Sequence, residues 1–343
     1  MSADPRPLRV AALTGGRHVP SARFRVSQYA AVLASEGVVL EDHPSLLGSY
    51  PPVRRWLRPA WLGATLADRV PDILRTHRAD VTLLQREMVS TLATLEGLTA
   101  RPRVLDVDDA VWLLRGGAGI RRVAAWSDAV ICGNDFLAEY FRRHHDRVDV
   151  LPTAVDIHRF HPAPKVAAAP VIGWSGTSGG FSYLRDVEPA LAAVLAARPA
   201  VRLRVIADRA PVFDRLDPDR VDYVRWSPAS EVSALQDLTV GIMPLRDGEW
   251  ERGKCSYKML LYMACGLPVV TSPVGMNVQV LAQGTVGYGP RTIDEWTDAL
   301  LALVDDPAHA ARLGAAGRAV VERRYSVERI GSRLAAHLRA VAA

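Results

Sequence analysis

Residues 253–277, GKCSYKMLLYMACGLPVVTSPVGMN, decide the fold. They read as a helix, a glycine stop, a short buried strand and a turn. Met259, Leu260, Tyr262 and Met263 give the helix an apolar face for packing. Gly266 terminates it, and Pro268 cannot continue it. Val269 and Val270 fit a parallel strand covered on both faces. Lys254 and Lys258 are four apart, so both project from one helical face near its positive end. Two ammonium groups there suit a polyanion, a diphosphate above all. The plainer reading is a pair of solvated charges. The junction of an apolar helix with a buried strand favours a ligand, because α/β sheets bind ligands outside their strand ends.

The same alternation runs in both directions from this stretch. Residues 8–13, 38–40, 81–85, 103–107 and 129–132 read as strands with helical stretches between them. A second series starts at residue 171, with strands at 201–207, 221–225, 241–244 and 268–271. A proline- and alanine-rich linker at residues 158–170 separates the two. A chain of 343 residues, 49% hydrophobic, is long enough for two domains with their own cores. This rhythm alone also fits one large Rossmann enzyme.

Composition narrows the class. Cys132, Cys255 and Cys265 have no metal-ligand spacing and imply no disulfide framework, which suits a reducing cytoplasm. The first residues lack a signal-peptide core, and no apolar run is long enough to span a bilayer. The net charge of +5 suits an anionic ligand or surface. The arginines are scattered and no nucleic-acid motif appears, so nucleic acid is not expected as a partner.

The 253–277 segment resembles the nucleotide-sugar-binding region of retaining glycosyltransferases of family 4, which have the GT-B fold. LPTAVDIHRFHP (residues 151–162) resembles that family's interdomain turn. VIGWSGT (171–177) resembles the first strand of its second domain, and YSVERIGSRLAAHL (325–338) its closing helix. The resemblance covers most of the chain. It implies two Rossmann-like domains facing each other across a cleft. Residues 1–160 would form the acceptor side, joined by a returning helix at 325–343. Residues 165–324 would bind the donor. It also implies no cofactor and no metal.

Several residue groups could carry chemistry. The first strand ends in GGRH, where Gly15 and Gly16 let backbone approach a phosphate or sugar and His18 sits in the same loop. This is not a full dinucleotide fingerprint, which argues against a dehydrogenase, and an ordinary tight turn is the competing reading. In the family this loop faces the donor diphosphate. Arg23 and Arg25 are candidates to hold an anionic group on donor or acceptor, or are helix-surface arginines. In LDVDDAVW (residues 105–112), Asp108 and Asp109 lie at the carboxyl end of a buried strand. Asp108 is the catalytic candidate, orienting a sugar hydroxyl. Asp109 either shares that role or caps the next helix.

In the second domain the resemblance places Arg225, Trp226 and Ser227 at the nucleobase. Two glutamates that many family members carry around the lysine helix are missing. Gly253 and Leu261 occupy their places, so Leu261 stands where ribose is normally held. The family's arginine and lysine after the first strand of this domain are replaced by a loop with Gly176 and Thr177. Arg252, Lys254 and Lys258 would then carry more of the diphosphate charge, with Lys258 acting in catalysis.

The expected function is retaining transfer of a sugar from a nucleotide-diphosphate sugar to an acceptor hydroxyl. A nucleotide-sugar 2-epimerase and a non-catalytic nucleotide-sugar-binding protein are the alternatives. RRWLRPAWL (residues 54–62) reads either as a membrane contact or as a helix with solvated arginines, and the second is favoured. The expected location is cytoplasmic, with peripheral contact at the inner membrane face as the variant. Sugar, nucleotide, acceptor and oligomeric state are not legible.

Overall fold

The computed structural model describes residues 6–17, 19–164 and 169–343. The chain divides into two compact units. One takes the chain through Ala154 together with Gly253–Cys255 and Val327–Ala343. The other takes Val155–Arg252 and Ser256–Ser326.

The first unit is built on a six-stranded parallel sheet. Its strands are β1 (Leu8–Thr14), β2 (Val38–Pro44), β3 (Val81–Gln85), β4 (Arg103–Val107), β5 (Ala129–Cys132) and β6 (Val148–Val150). Their spatial order is β2-β1-β3-β4-β5-β6. β3, β4 and β5 are buried at every residue, as near-continuous apolar runs require when helices cover both faces. The closing helix Val327–Ala342 lays Ile330, Leu334 and Leu338 into the core shared with Val10, Leu83 and Val104. The order of connection reverses, switching sides between β1 and β3, the place where parallel α/β sheets form a crevice at the carboxyl edge.

A buried ion pair braces this unit. Arg25 ends the short helix Pro20–Arg25 and is 3% exposed. Its guanidinium meets Asp106 of β4 at 2.5 Å and also donates to the Leu151 carbonyl at 2.7 Å. Burial opposes its charge, but Asp106 more than compensates and leaves the guanidinium firmly protonated. Arg25 is therefore an internal brace. Its donors face Asp106, Leu151 and Thr153 rather than a ligand anion, which corrects the expectation from the sequence.

The second unit repeats the plan with β7 (Val171–Ser175), β8 (Arg202–Ala207), β9 (Val221–Arg225), β10 (Val240–Met243), β11 (Val269–Thr271) and β12 (Gly287–Tyr288). The order is β12-β11-β10-β7-β8-β9, all parallel, with the reversal between β7 and β10. Trp174, Leu191, Leu203, Ile242 and Leu300 form its core. The helix Tyr257–Ala264 lies on this sheet because Gly241 of β10 has no side chain. A Cβ there would stand 2.2 Å from the Tyr262 ring. The Tyr262 hydroxyl accepts a 2.7 Å hydrogen bond from the Ser175 amide at the end of β7.

Removing one member of a buried pair strands the other charge in a low-dielectric interior. Arg25→Met is expected to cost about 3–5 kcal/mol, read as a lower denaturant midpoint. A midpoint equal to the parent's would show that Asp106 needs no partner.

Candidate functional site

In the second unit the sequence folds toward one point at the β7/β10 reversal. Tyr262 is clamped onto Gly241 and Ser175, and Lys258 lies one helical turn before it on the same face. Its ammonium sits 4.6 Å from the centre of the Trp174 ring, a cation–π contact. Gly176 follows β7 immediately, and a Cβ on it would lie 2.5 Å from the Lys258 ammonium. Thr177 is exposed beside it. Gly176, Thr177 and Lys258 are thus brought together at the carboxyl edge of the sheet.

Lys254 is not part of that helix. Ser256 adopts a left-handed backbone (φ 50°), and its buried hydroxyl bonds Asn277 at 2.6 Å, so the helix begins only at Tyr257. Residues Gly253–Cys255 belong to the first unit, where Asn134 donates to the Lys254 carbonyl at 3.0 Å. The two lysines therefore do not share a helical face. The left-handed residue between them breaks the spacing that the sequence suggests.

The other second-unit residues fall around the sheet edge. Arg252 is exposed and pairs with Asp247 at 2.7 Å. Arg225 is exposed at the end of β9. Trp226 is half-buried, with its indole N–H on Glu231 at 3.0 Å, and Ser227 bonds Ser230. Leu261, expected at the nucleoside, is 3% exposed and packs inward.

In the first unit, Gly15 and Gly16 are buried at the end of β1. Arg23 is half-buried with its guanidinium over Phe24. His18 lies outside the described residues. Asp108 and Asp109 follow β4, and both are gripped by Arg86. Its guanidinium reaches Asp108 at 2.5 Å and Asp109 at 2.6 Å. Burial pushes the Asp109 carboxyl up, while Arg86 pulls it back. A carboxylate bonded to one guanidinium keeps lone pairs for a hydroxyl, so the clamp orients these groups without using them up. Cys255 donates to the Asp108 carbonyl at 3.1 Å. Burial pushes its thiol up to about 12, which keeps it a neutral packing group.

Arg86 gives little sign of itself in sequence, being one arginine among many. Its backbone is left-handed (φ 61°), unusual for a residue with a side chain, and it turns the chain back over the crevice. Among the described residues no group of three or more His, Cys, Asp or Glu side chains is placed to hold a metal ion.

A family model described as glycosyl transferases group 1 matches residues 169–306, most of the second unit. A GDP-mannose-dependent monoacylated alpha-(1-6)-phosphatidylinositol monomannoside mannosyltransferase from Corynebacterium glutamicum is 26% identical, covering 82% of each chain. Both matches point to the glycosyltransferases of group 1. A D-inositol 3-phosphate glycosyltransferase from Stackebrandtia nassauensis is 29% identical over 57% of this chain, which spans about half (51%) of that relative's length. Among solved structures, sucrose-phosphate synthase from Thermosynechococcus elongatus superposes with a TM-score of 0.70 at 16% identity, covering 97% and 98% of the two chains. HepE from Anabaena in complex with UDP-glucose superposes at 0.67 and 13% identity, covering 97% and 100%. The structural likenesses establish the GT-B fold, and the sequence matches support sugar transfer from a nucleotide-sugar donor. They do not favour the epimerase or binding-protein alternatives.

Glu87, next to Arg86, supplies a stability test. It is 5% exposed, and burial raises its carboxyl from 4.5 to about 7. The fold holds that proton more tightly than the unfolded chain does. Stability is therefore full below about 4.5 and falls as pH rises through about 7. Glu87→Gln should exceed the parent in stability at pH 8 by roughly 2–3 kcal/mol, with the gap closing below pH 4.5. Parallel pH-stability curves for the two proteins would refute it.

Proposed function

We propose that this transferase works with retention and holds the donor diphosphate in its second unit at the β7/β10 reversal. The carrying observation is the Lys258 ammonium, set over Trp174 and beside Gly176. The absent side chain at residue 176 lets Lys258 and Trp174 close onto the backbone there, so a phosphate at the sheet edge would meet backbone and ammonium together. Fixed positive charge at that point stabilises the diphosphate as the bond to the sugar breaks, and it needs no reorganisation during the reaction. The helix Tyr257–Ala264 is held by Tyr262, so the charge is preorganised. Thr177 adds a hydroxyl at the same edge, and the Arg225–Ser227 turn offers backbone to the base. Asp108 and Asp109, clamped by Arg86, orient a sugar hydroxyl in the first unit.

The first unit also offers a membrane surface. Residues 43–67 contain no Asp or Glu and carry Arg54, Arg55 and Arg58. Leu46 is 83% exposed, Val53 93% and Trp56 73%. Apolar tips beside unopposed arginines fit an anionic bilayer, where the tips enter the interface and the arginines meet headgroups. No helix among the described residues is long and apolar enough to cross a membrane. Surface contact by this loop is the mode the geometry supports, and it reverses the preference for solvated arginines taken from sequence.

Two measurements test these readings. Lys258→Ala should lower turnover at saturating donor by about a hundredfold, the scale of one lost transition-state donor. A change below about threefold would exclude the role. The parent protein should co-sediment with anionic phospholipid vesicles and not with zwitterionic ones. Arg54→Ser with Arg55→Ser should weaken that binding roughly thirtyfold, at about 1 kcal/mol per arginine. Equal sedimentation with both vesicle types would remove the surface from consideration.

A further inference from the structure

The crevice at the β1/β3 reversal of the first unit contains polar atoms that the fold leaves unused. Gln85 is the last residue of β3 and is 4% exposed, yet its amide nitrogen has no hydrogen-bond partner. The Ser49 hydroxyl is likewise buried without a partner. The Ser49 hydroxyl and the side-chain amide of Gln85, through its oxygen, both flank Gly15 at the exit of β1. A Cβ on Gly15 would lie 3.0 Å from the Ser49 hydroxyl and 3.9 Å from the Gln85 carbonyl oxygen. Ser49 is held in place by its carbonyl, which accepts from the Ser90 amide at 2.8 Å. Arg86 follows Gln85 in its left-handed turn and carries Asp108 and Asp109 to the rim, with Tyr50 at 3.4 Å from its guanidinium.

An unpartnered buried donor costs about 1–3 kcal/mol. Natural folds keep such groups when a ligand or water completes them. Three observations coincide here: two unpartnered polar side chains, a glycine whose missing side chain leaves the space between them, and the topological switch point where α/β sheets bind ligands. The groups also specify the chemistry. An amide and a hydroxyl each both donate and accept, as paired sugar hydroxyls do. The rim carries two carboxylates against one guanidinium, which repels a phosphate and accepts hydrogen bonds from hydroxyls.

We propose that Ser49 and Gln85 form a subsite for a polyhydroxylated ring, binding neighbouring hydroxyls over Gly15 with the Arg86-clamped carboxylates at the edge. This reassigns Gly15 from diphosphate to hydroxyl recognition. It rests on the transferase reading, and the ring is either that of the acceptor or that of the donor's sugar. The subsite makes Gln85 and Ser49 determinants of which ring is accepted. Neither residue is legible as such in the sequence.

The variants Gln85→Leu and Ser49→Ala carry the test. Each removes an unpartnered polar group at little change in volume. A ligand-binding role therefore leaves the melting temperature of the free protein unchanged or raised, whereas a structural role lowers it. Ligand contact is read by saturation-transfer NMR with myo-inositol and with methyl α-mannoside, using inorganic phosphate as the anionic control. The parent should give signals from a polyol and none that phosphate displaces. Either variant should lose at least fivefold of the polyol signal.

Displacement of the polyol by GDP-mannose or UDP-glucose, but not by the free nucleotide, assigns the subsite to the donor's sugar. Persistence of the polyol assigns it to the acceptor. Both keep a hydroxyl site. A lowered melting temperature in Gln85→Leu, a polyol signal unchanged by both variants, no polyol signal in the parent, or displacement by phosphate would each overturn the proposal. Release of free sugar from the donor by the parent tests the transferase reading separately. A protein that hydrolyses donor but binds no polyol keeps that reading and loses this one.

Discussion

One tyrosine sets the geometry of the second unit's sheet edge. Tyr262 rests its ring on Gly241 and receives the Ser175 amide on its hydroxyl, so one side chain ties a helix to two adjacent strands. A larger residue at position 241 would lift the helix. A phenylalanine at 262 would leave the Ser175 amide without its partner. The helix depth fixes where the Lys258 ammonium stands, and the Trp174 ring beneath it limits how far that ammonium can wander. Catalysis by a flexible lysine depends on such confinement, because a charge that must first be positioned loses part of its effect to reorganisation.

In the first unit the same need is met by electrostatics. Arg25, at the end of its helix, and Asp106 of the central strand β4 are both buried inside the protein. Each charge is tolerable only because of the other. One strand further along the chain's path, Arg86 holds Asp108 and Asp109 at the rim. Asp106 lies within β4 and is sealed by Arg25, whereas Asp108 and Asp109 lie beyond the strand's last residue, Val107, where the chain leaves the sheet and Arg86 holds them.

Regular structure was largely legible. β3, β4, β5 and β9 begin and end where the sequence places them. The helix Ile293–Asp305 announces itself through Thr292 and Glu295, which form a capping box. Of the helix Arg58–Thr76 only the start was legible, in residues 54–62, because Pro59, Trp61 and the internal Pro71 obscure the helical period. Site residues were less accessible for a different reason. Whether an arginine faces solvent, a ligand or a buried aspartate depends on contacts 81 residues apart, as for Arg25 and Asp106. Lys254 failed locally instead: one left-handed serine separates it from Lys258, and nothing in the composition of SYK signals that turn.

The connection between β2 and the helix Arg58–Thr76 is tethered by hydrogen bonds from Trp61 to the Leu47 carbonyl and from Arg58 to the Pro52 carbonyl. Its apolar tips are thus held outward by the backbone rather than left loose. The same short connection carries Ser49 inward to the β1/β3 crevice. A molecule whose hydrophilic end enters that crevice has its greasy end within reach of the tips. Catalysis on such a molecule becomes a search in two dimensions, where encounter frequency follows surface density rather than bulk concentration. Turnover would then respond to how crowded the bilayer is with acceptor, at a given concentration of the water-borne donor.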